Sequence, residues 1–205
     1  MATAQIETVV FDLGGVLVDW DPRYLYRKIF DDEAAMERFL SEVCHPEWHR
    51  AMDGGRPLHE ATESLCAEHP AFEAEIRAYG GRWPEMLAGA IDGTVALLDK
   101  LHAAGVPLYA ITNWSADTWG HALDRFAFLD RFRDVIVSGR EKLLKPQPEI
   151  YRLLLDRHGL PAAGCLFIDD VPANVEGARS VGMNAVLFTS PDVLAHDLRA
   201  HGLPL

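Results

Sequence analysis

The stretch TVVFDLGGVL, residues 8–17, decides the fold of this chain. Its first four residues are apolar or β-branched, which predicts a buried strand that ends directly before Asp12. The pair Gly14-Gly15 then predicts a tight turn. In a parallel α/β sheet this order places the Asp12 carboxylate at the carboxyl edge, where such proteins bind their ligands. Position 14 carries Gly rather than a second acid, which limits the chemistry available there.

The rest of the sheet is predicted from short apolar runs that alternate with amphipathic segments after Asp92. Short runs without charge are typical of strands buried on both faces of a parallel sheet. Helical stripes lie between them and end at Gly105, Gly159 and Gly182. The alternation indicates βαβ units, so we expect an α/β fold with a Rossmann-like, doubly wound parallel sheet. Its further predicted strands are residues 107–112, 135–138, 165–169 and 185–188.

The segment between residues 20 and 88 differs from the rest of the chain because it shows helical patterns and no strand-like run. A helical block at this place predicts a cap inserted after the first strand, with hinges near residues 18–21 and 85–91. The expected domains are a Rossmann-like catalytic core, residues 1–18 and 89–205, and a helical cap domain, residues 19–88. The predicted cap helices are residues 24–30, 33–43, 58–69 and 72–79.

The net charge of -12 and the composition exclude several classes of function. Nucleic-acid binding needs a basic face, so no nucleic-acid partner is expected. No apolar stretch approaches the ~20 residues that span a bilayer, and the N-terminus lacks a signal-peptide pattern. The 3 cysteines are scattered, which favours reduced thiols. We expect a cytoplasmic protein without a membrane partner, and the sequence indicates no oligomeric state.

Polar residues stand at or beyond the ends of the predicted strands: Asp12, Thr112-Asn113, Lys145 and Asp169-Asp170. A parallel sheet brings such positions to one edge. A carboxylate there can attack phosphorus and form an aspartyl-phosphate, which divides a difficult hydrolysis into two steps. Like charges ~4 Å apart repel by ~4 kcal/mol at an intermediate dielectric, so the attack needs a hard cation such as Mg²⁺. Taken singly, each residue is also an ordinary capping, turn or loop residue.

Together these residues resemble the motifs of the haloacid dehalogenase-like (HAD) hydrolase superfamily, along nearly the whole chain. Residues 9–17 resemble its first motif, residues 111–113 its second and Lys145-Pro146 its third. The helical insertion is similar to the family's class I cap. The most similar subgroup is that of sugar-1-phosphate phosphatases such as α-D-glucose-1-phosphate phosphatase, and the phosphatase domain of soluble epoxide hydrolase is also similar. The fourth motif is matched by residues 167–170 with Asn174, Gly177, Ala178 and Gly182.

The resemblance implies a Mg²⁺ site and a covalent mechanism at the first and fourth motifs. Asp12 would be the nucleophile and a Mg²⁺ ligand, and the backbone carbonyl of Gly14 would be another ligand. Asp170 would bind the metal directly. Asp169 would assist it directly or through water.

The resemblance further implies that the second and third motifs bind the substrate, a small phosphorylated metabolite such as a sugar phosphate. Thr112 and Asn113 would bind the transferring phosphate. Lys145 would act in catalysis by linking the nucleophile and the phosphate electrostatically. Asn174 would either orient the acidic pair or cap its helix.

The chain departs from the family pattern at Gly14. Most family phosphatases carry an Asp there, which protonates the leaving group and then activates water. General acid–base catalysis contributes ~10²–10⁴-fold, so a bound water, a cap residue or the substrate itself would have to replace it. Asp19 and Asp21, in the expected flap, are further candidates, although hinge acids are ordinarily solvated.

Two alternative functions stay open. Family dehalogenases also lack the second Asp, because a halide leaves without a proton. A metal-independent 2-haloacid dehalogenase would, however, place its carboxylate substrate beside Asp169 and Asp170. The other alternative is a non-catalytic, phosphate-binding member of the fold, for which the nucleophile Asp12 would be superfluous.

Substrate selection is not predicted from the sequence. Several cap residues near the Gly-Gly turn, and one residue after the second motif, could contact a substrate or simply pack and carry surface charge. They are Trp48, His49, Arg50, Arg56 and Trp114.

Overall fold

The computed structural model describes residues 5–205, whose strands form a five-stranded sheet and a separate two-stranded sheet. The strands are β1 (Thr8–Phe11), β2 (Val18–Trp20), β3 (Leu87–Ala90), β4 (Leu108–Thr112), β5 (Asp134–Val137), β6 (Cys165–Asp169) and β7 (Asn184–Leu187). The large sheet has the order β5-β4-β1-β6-β7, and all its neighbouring strands are parallel. The chain builds outward from β1 through β4 to β5 and then crosses to β6 and β7. This confirms the predicted doubly wound parallel sheet.

Both faces of the large sheet are covered by apolar packing. Val9 and Phe11 of β1 belong to one hydrophobic cluster, and Val10 between them belongs to the cluster on the other face. Neighbouring β4 and β6 alternate in the same way, as the two-residue period of a strand requires. Because neither face of these strands meets water, their sequences read as continuous apolar runs.

Helices fill the connections between the strands. Those between β2 and β3 are α1 (Arg23–Tyr26), α2 (Glu33–Arg38), α3 (Pro46–Asp53), α4 (Leu58–Glu68) and α5 (Glu73–Gly81). The later ones are α6 (Asp92–Ala103), α7 (Trp119–Arg125), α8 (Ser138–Glu141), α9 (Pro148–His158), α10 (Pro172–Ser180) and α11 (Pro191–Ala200). A π-helical turn, Phe39–Val43, continues α2, and 3₁₀ turns lie at Pro70–Phe72, Trp83–Met86, Ala127–Arg131 and Ala162–Gly164.

Most predicted helices match the structure, and the first is shorter than expected. The π-helical turn extends α2 over the whole predicted range 33–43. The predicted helix 24–30 instead ends as α1 at Tyr26. Beyond it the chain turns so that the Phe30 ring packs on Phe39, with 5.2 Å between centroids. Asp32 then caps α2, because its carboxylate accepts from the N–H groups of the second and third residues that follow.

The segments at the two ends of the helical block pair with each other, which was not predicted. β2 and β3 form the antiparallel two-stranded sheet, with an irregularity between Asp19 and Trp20. Strands of three and four residues give little periodic signal, and these two are far apart in the chain. The division of the chain into a core and a cap stays a prediction.

The structure also bears on the membrane and thiol predictions. Within residues 5–205, no helix combines the length and apolar character needed to cross a membrane. Cys44, Cys66 and Cys165 are all free and buried.

Candidate active site

The register of the central strands brings three carboxylates together. Phe11 pairs with Ile168, so Asp12 and Asp169 leave the sheet side by side. The Asp12 N–H donates to the Ile168 carbonyl at 2.8 Å. One oxygen each of Asp12, Asp169 and Asp170 lies within 4.8 Å of the others, and the first two residues are buried. These are the side chains that were predicted as metal ligands.

A buried lysine lies between two of these carboxylates. Lys145 Nζ is 2.7 Å from Asp12 Oδ1 and 2.7 Å from Asp169 Oδ2, and its side chain is 1% exposed. Asn113 fixes the lysine backbone: its Oδ1 accepts from Lys145 N at 2.9 Å and its Nδ2 donates to Lys145 O at 3.1 Å. The Asn113 side chain therefore positions Lys145 in this structure, and its contact with a phosphate stays a prediction.

Asp169 is held from several directions. Asn174 Nδ2 donates to both of its oxygens, at 3.0 and 3.1 Å, and the Val171 N–H donates at 2.8 Å. Of the two predicted roles of Asn174, this geometry fits the orientation of the acidic pair. Gly177, three residues after Asn174 in α10, lies so close to the lysine loop that a Cβ would come within 2.6 Å of the Pro146 carbonyl oxygen. Only glycine lets α10 and this loop approach so closely.

The cluster carries more negative charge than its own lysine can neutralise. Burial raises the pKa of Asp12 to about 7. The charge of Lys145 acts to lower this pKa, and the charges of Asp169 and Asp170 act to raise it. Burial, together with the charge of Asp169, also raises the pKa of Asp170. Burial disfavours the Lys145 ammonium, but the charges of Asp12 and Asp169 outweigh it and raise its pKa. Three carboxylates thus face one ammonium, and the excess charge matches a divalent cation with oxygen ligands, such as Mg²⁺.

Gly14 and Gly15, which follow Asp12 in the chain, have different surroundings. Gly15 has a φ of +72°, and a Cβ there would overlap the Asp170 carboxylate. It must therefore be glycine if Asp170 is to lie against the turn. A Cβ at Gly14 would meet no atom within 4 Å, so the space for an acidic side chain exists at this position.

A cavity lies next to the cluster and between the sheet edge and the helical block. Gly14 and Asn113 form part of its wall on the sheet side. Thr112, which precedes Asn113 at the end of β4, is buried. Much of the remaining lining is aromatic and includes Trp20, Tyr79, Trp83 and, from the loop after β4, Trp114.

Three residues that line the cavity carry ring nitrogens without a hydrogen-bond partner among the described residues. Trp20 Nε1, His49 Nε2 and Trp114 Nε1 are buried and make no hydrogen bond within the described residues. Burial, with a contribution from His45, lowers the pKa of His49 to about 4, so this imidazole is neutral at pH 7. Unpaired buried donors of this kind are satisfied by ligand or water oxygens.

The cap residues singled out in the sequence divide into different roles. His49 and Trp114 line the cavity, whereas Trp48 and Arg56 do not. Trp48 Nε1 donates to a carbonyl oxygen of α4 at 3.1 Å, which is a packing role. Arg50 donates to the Lys145 carbonyl at 3.4 Å and so ties α3 to the lysine loop.

Neither flap acid lies in the cavity wall. Asp19 accepts a hydrogen bond from the Tyr24 hydroxyl at 2.9 Å. Asp21 accepts from the Arg23 backbone N–H at 2.9 Å and from its guanidinium at 3.3 Å. Both half-buried carboxylates thus have partners outside the cavity lining.

One carboxyl group of the cavity, that of Asp53, was not predicted from the sequence. It is the last residue of α3, a helix that was not predicted. Pro46 at the first position of this helix and Gly54-Gly55 after it are start and stop signals that could have indicated it. Only Trp48 and Met52 of its residues are buried, so its apolar stripe is weak.

Known proteins resemble this chain in sequence and in fold. A family model described as haloacid dehalogenase-like hydrolase matches residues 6–182. The sesquiterpene phosphatase astK of Aspergillus oryzae is 26% identical over 94% of this chain and 95% of its own length. The magnesium complex of the HAD-family enzyme BT-2542 from Bacteroides thetaiotaomicron superposes with a TM-score of 0.74 at 20% identity, covering 96% of this chain and 100% of that one. The L-2-haloacid dehalogenase of Xanthobacter autotrophicus gives a TM-score of 0.64 at 20% identity, covering 98% and 85%.

Proposed function

Because the chain belongs to the haloacid dehalogenase-like hydrolase family, and is thus a hydrolase, we propose that it is a Mg²⁺-dependent phosphatase of small phosphomonoesters in the cytoplasm. The observation that carries this proposal is the cluster of three carboxylates at the sheet edge, in which the buried Lys145 contacts only Asp12 and Asp169. Its excess negative charge calls for a divalent cation, and a phosphate bound to that cation would lie beside Asp12.

Each residue of the cluster has a role in this reaction. Asp12 attacks phosphorus and forms an aspartyl-phosphate, which water then hydrolyses. Asp12, Asp170, the Gly14 carbonyl and Asp169, directly or through water, would hold Mg²⁺. When bound, Mg²⁺ supplies charge neutralisation at the phosphate oxygens.

The remaining motif residues act on the phosphate and on the nucleophile. Lys145 keeps Asp12 oriented and adds a positive charge toward the phosphate, as its 2.7 Å contact supports. The Thr112 hydroxyl and Asn113 hold phosphate oxygens. Asn174 keeps Asp169 in place, which its two hydrogen bonds support.

The cavity is compatible with the predicted sugar phosphate. Aromatic walls pack against the apolar face of a sugar ring, and the unpaired nitrogens of Trp20, His49 and Trp114 would meet hydroxyl oxygens. A prenyl phosphate would use the same aromatic walls but would leave these nitrogens unpaired. The relative astK is named as a sesquiterpene phosphatase, so both classes belong in the substrate panel.

The structure gives the dehalogenase alternative no specific support. The likeness to the haloacid dehalogenase, at 20% identity, concerns the fold alone. A haloacid carboxylate would meet Asp169 and Asp170 without a compensating cation. A purely binding role is not favoured either, because Asp12 is placed against Lys145 as an attacking carboxylate would be.

The test is release of inorganic phosphate from p-nitrophenyl phosphate and from a panel of sugar and prenyl phosphates. We expect turnover with Mg²⁺, loss of turnover with EDTA and loss of turnover in Asp12→Asn. Halide release from 2-chloropropionate is measured in parallel. Phosphatase activity that survives Asp12→Asn, or halide release without phosphatase activity, would contradict the proposal.

A further inference from the structure

The cavity beside Gly14 contains a carboxyl group that the mechanism above leaves unused. Among the described residues that line this cavity, Asp53 is the one acid. It comes from the helical block, at the end of α3, whereas Gly14 lies on the sheet side. Gly14, which has no acidic side chain, and Asp53, to which the mechanism above gives no role, therefore line the same cavity.

Hydrogen bonds to the sheet side fix the place of Asp53. Ser138 Oγ donates to the Asp53 carbonyl at 2.6 Å and accepts from Trp114 N at 2.9 Å. Ser115, which follows Trp114 in the same loop, lines the cavity together with Asp53. The loop that holds Asn113, the residue that positions Lys145, thus also positions Asp53.

We propose that Asp53 is the general acid and base of this enzyme, a role for which Gly14 has no side chain. This inference rests on the proposed phosphatase function. In the first step an Asp12 oxygen bonds to phosphorus, the bond from phosphorus to the ester oxygen breaks, and the Asp53 proton passes to that oxygen to give the free alcohol. In the second step a water oxygen attacks phosphorus, and the Asp53 carboxylate takes a proton from this water. The bond to Asp12 then breaks, which releases inorganic phosphate and restores both carboxyl groups.

The surroundings of Asp53 suit a group that must give and then take a proton near neutral pH. Burial raises its pKa to about 7, while the Ser115 N–H and the charges of Arg50 and Lys145 act in the opposite direction. The Tyr79 hydroxyl, from α5, stays protonated because burial and the charge of Asp53 raise its pKa. A catalytic group works best with a pKa near the working pH.

The test compares two esters in Asp53→Asn, which keeps the size of the side chain and the backbone contact with Ser138. Nitrophenolate leaves p-nitrophenyl phosphate without a proton, whereas cyclohexyl phosphate needs one. With Mg²⁺ present, we expect turnover of the cyclohexyl ester to fall ~10²–10⁴-fold. With the nitrophenyl ester we expect a rapid burst of nitrophenolate and accumulation of phosphoprotein in acid-quenched samples, because only the second step lacks its base.

A pH profile and matched variants complete the test. Wild-type kcat/KM on the cyclohexyl ester falls as the pH rises above about 7, and Asp53→Asn removes this limb. Asp53→Ser gives the same pattern, and Asp19→Asn behaves as wild type. The inference is overturned if Asp53→Asn hydrolyses the cyclohexyl ester as wild type does, or if both esters slow equally and no phosphoprotein accumulates. A wild-type protein that shows no Asp12-dependent phosphorylation would instead overturn the proposed function.

Discussion

Replacing the nucleophile candidate should make the metal-free protein more stable. The pKa of Asp12 rises from an ordinary 3.8 to about 7 in the folded chain. Since one pKa unit corresponds to about 1.4 kcal/mol, the ionised carboxylate costs the fold about 4 kcal/mol above pH 7. In Asp12→Asn the charge is gone, yet the oxygen that contacts Leu13 N and Lys145 Nζ, at 2.7 Å each, remains. We expect the free energy of unfolding to increase by up to about 4 kcal/mol at pH 8 in EDTA.

The sign of the pH dependence follows from the same shift. The folded protein holds a proton at Asp12 more tightly than the unfolded chain, so this group contributes stability at low pH that is lost as the pH rises toward 7. The advantage of Asp12→Asn should therefore shrink to about 2 kcal/mol at pH 5 and vanish below about pH 4. Mg²⁺ at about 100 times its Kd should stabilise the wild type by about 3 kcal/mol and close most of the gap at pH 8.

Thermal unfolding followed by circular dichroism measures the effect. For a chain of this size 1 kcal/mol corresponds to about 2–4 °C, so the variant should melt about 8–16 °C higher at pH 8 in EDTA. Asp124→Asn, on the exposed face of α7, serves as the matched control and should not change the melting temperature. An equal or lower melting temperature for Asp12→Asn at pH 8, or a gap that does not change with pH, would refute the electrostatic reasoning.

Three further substitutions test other parts of the site. Gly14→Asp has room for its side chain, and in an Asp53→Asn background it should restore turnover of cyclohexyl phosphate by at least ~10-fold in a steady-state assay. Gly15→Ala would overlap Asp170 at a positive φ, so we expect a loss of ~1–3 kcal/mol in denaturant unfolding and of the Mg²⁺-induced rise in melting temperature. Asn113→Ala removes both hydrogen bonds to the backbone of Lys145, which should cost ~1–3 kcal/mol and lower kcat for p-nitrophenyl phosphate more than it changes KM. Wild-type behaviour of a variant in its assay would contradict the corresponding reasoning.

The sheet was predictable from the sequence because its signals are local. Buried parallel strands such as β6 are continuous apolar runs, and the helices after them stop at glycines such as Gly159, which has a φ of +61°. Given these strands, the parallel arrangement also gathers Asp12 and Asp169 at one edge. The carboxylate cluster could therefore be predicted without any knowledge of tertiary contacts.

The parts that were missed depend on distant contacts. β2 and β3 are too short to show a period, and each is a strand only because the other is its partner. The hydrogen bonds between Asn113 and the Lys145 backbone join two loops, and the sequence indicates neither their distance nor which atoms face each other. Asp53 reads as a turn residue before two glycines, and its place in the cavity depends on Ser138, 85 residues away.

The proposed division of labour has a consequence for how the reaction is controlled. Asp12, Lys145, Asp169 and Asp170 all lie at the sheet edge, and Lys145 contacts both Asp12 and Asp169. Asp53 lies on α3, and its position depends on the hydrogen bond that Ser138 donates to its carbonyl. In the proposed mechanism the leaving-group proton is therefore available only while α3 packs against the sheet side, where residues from both line one cavity. An acid at position 14 would be present whether or not α3 packs against the sheet side. Because Asp53 lies on α3, proton transfer by Asp53 is instead restricted to the arrangement in which α3 packs there.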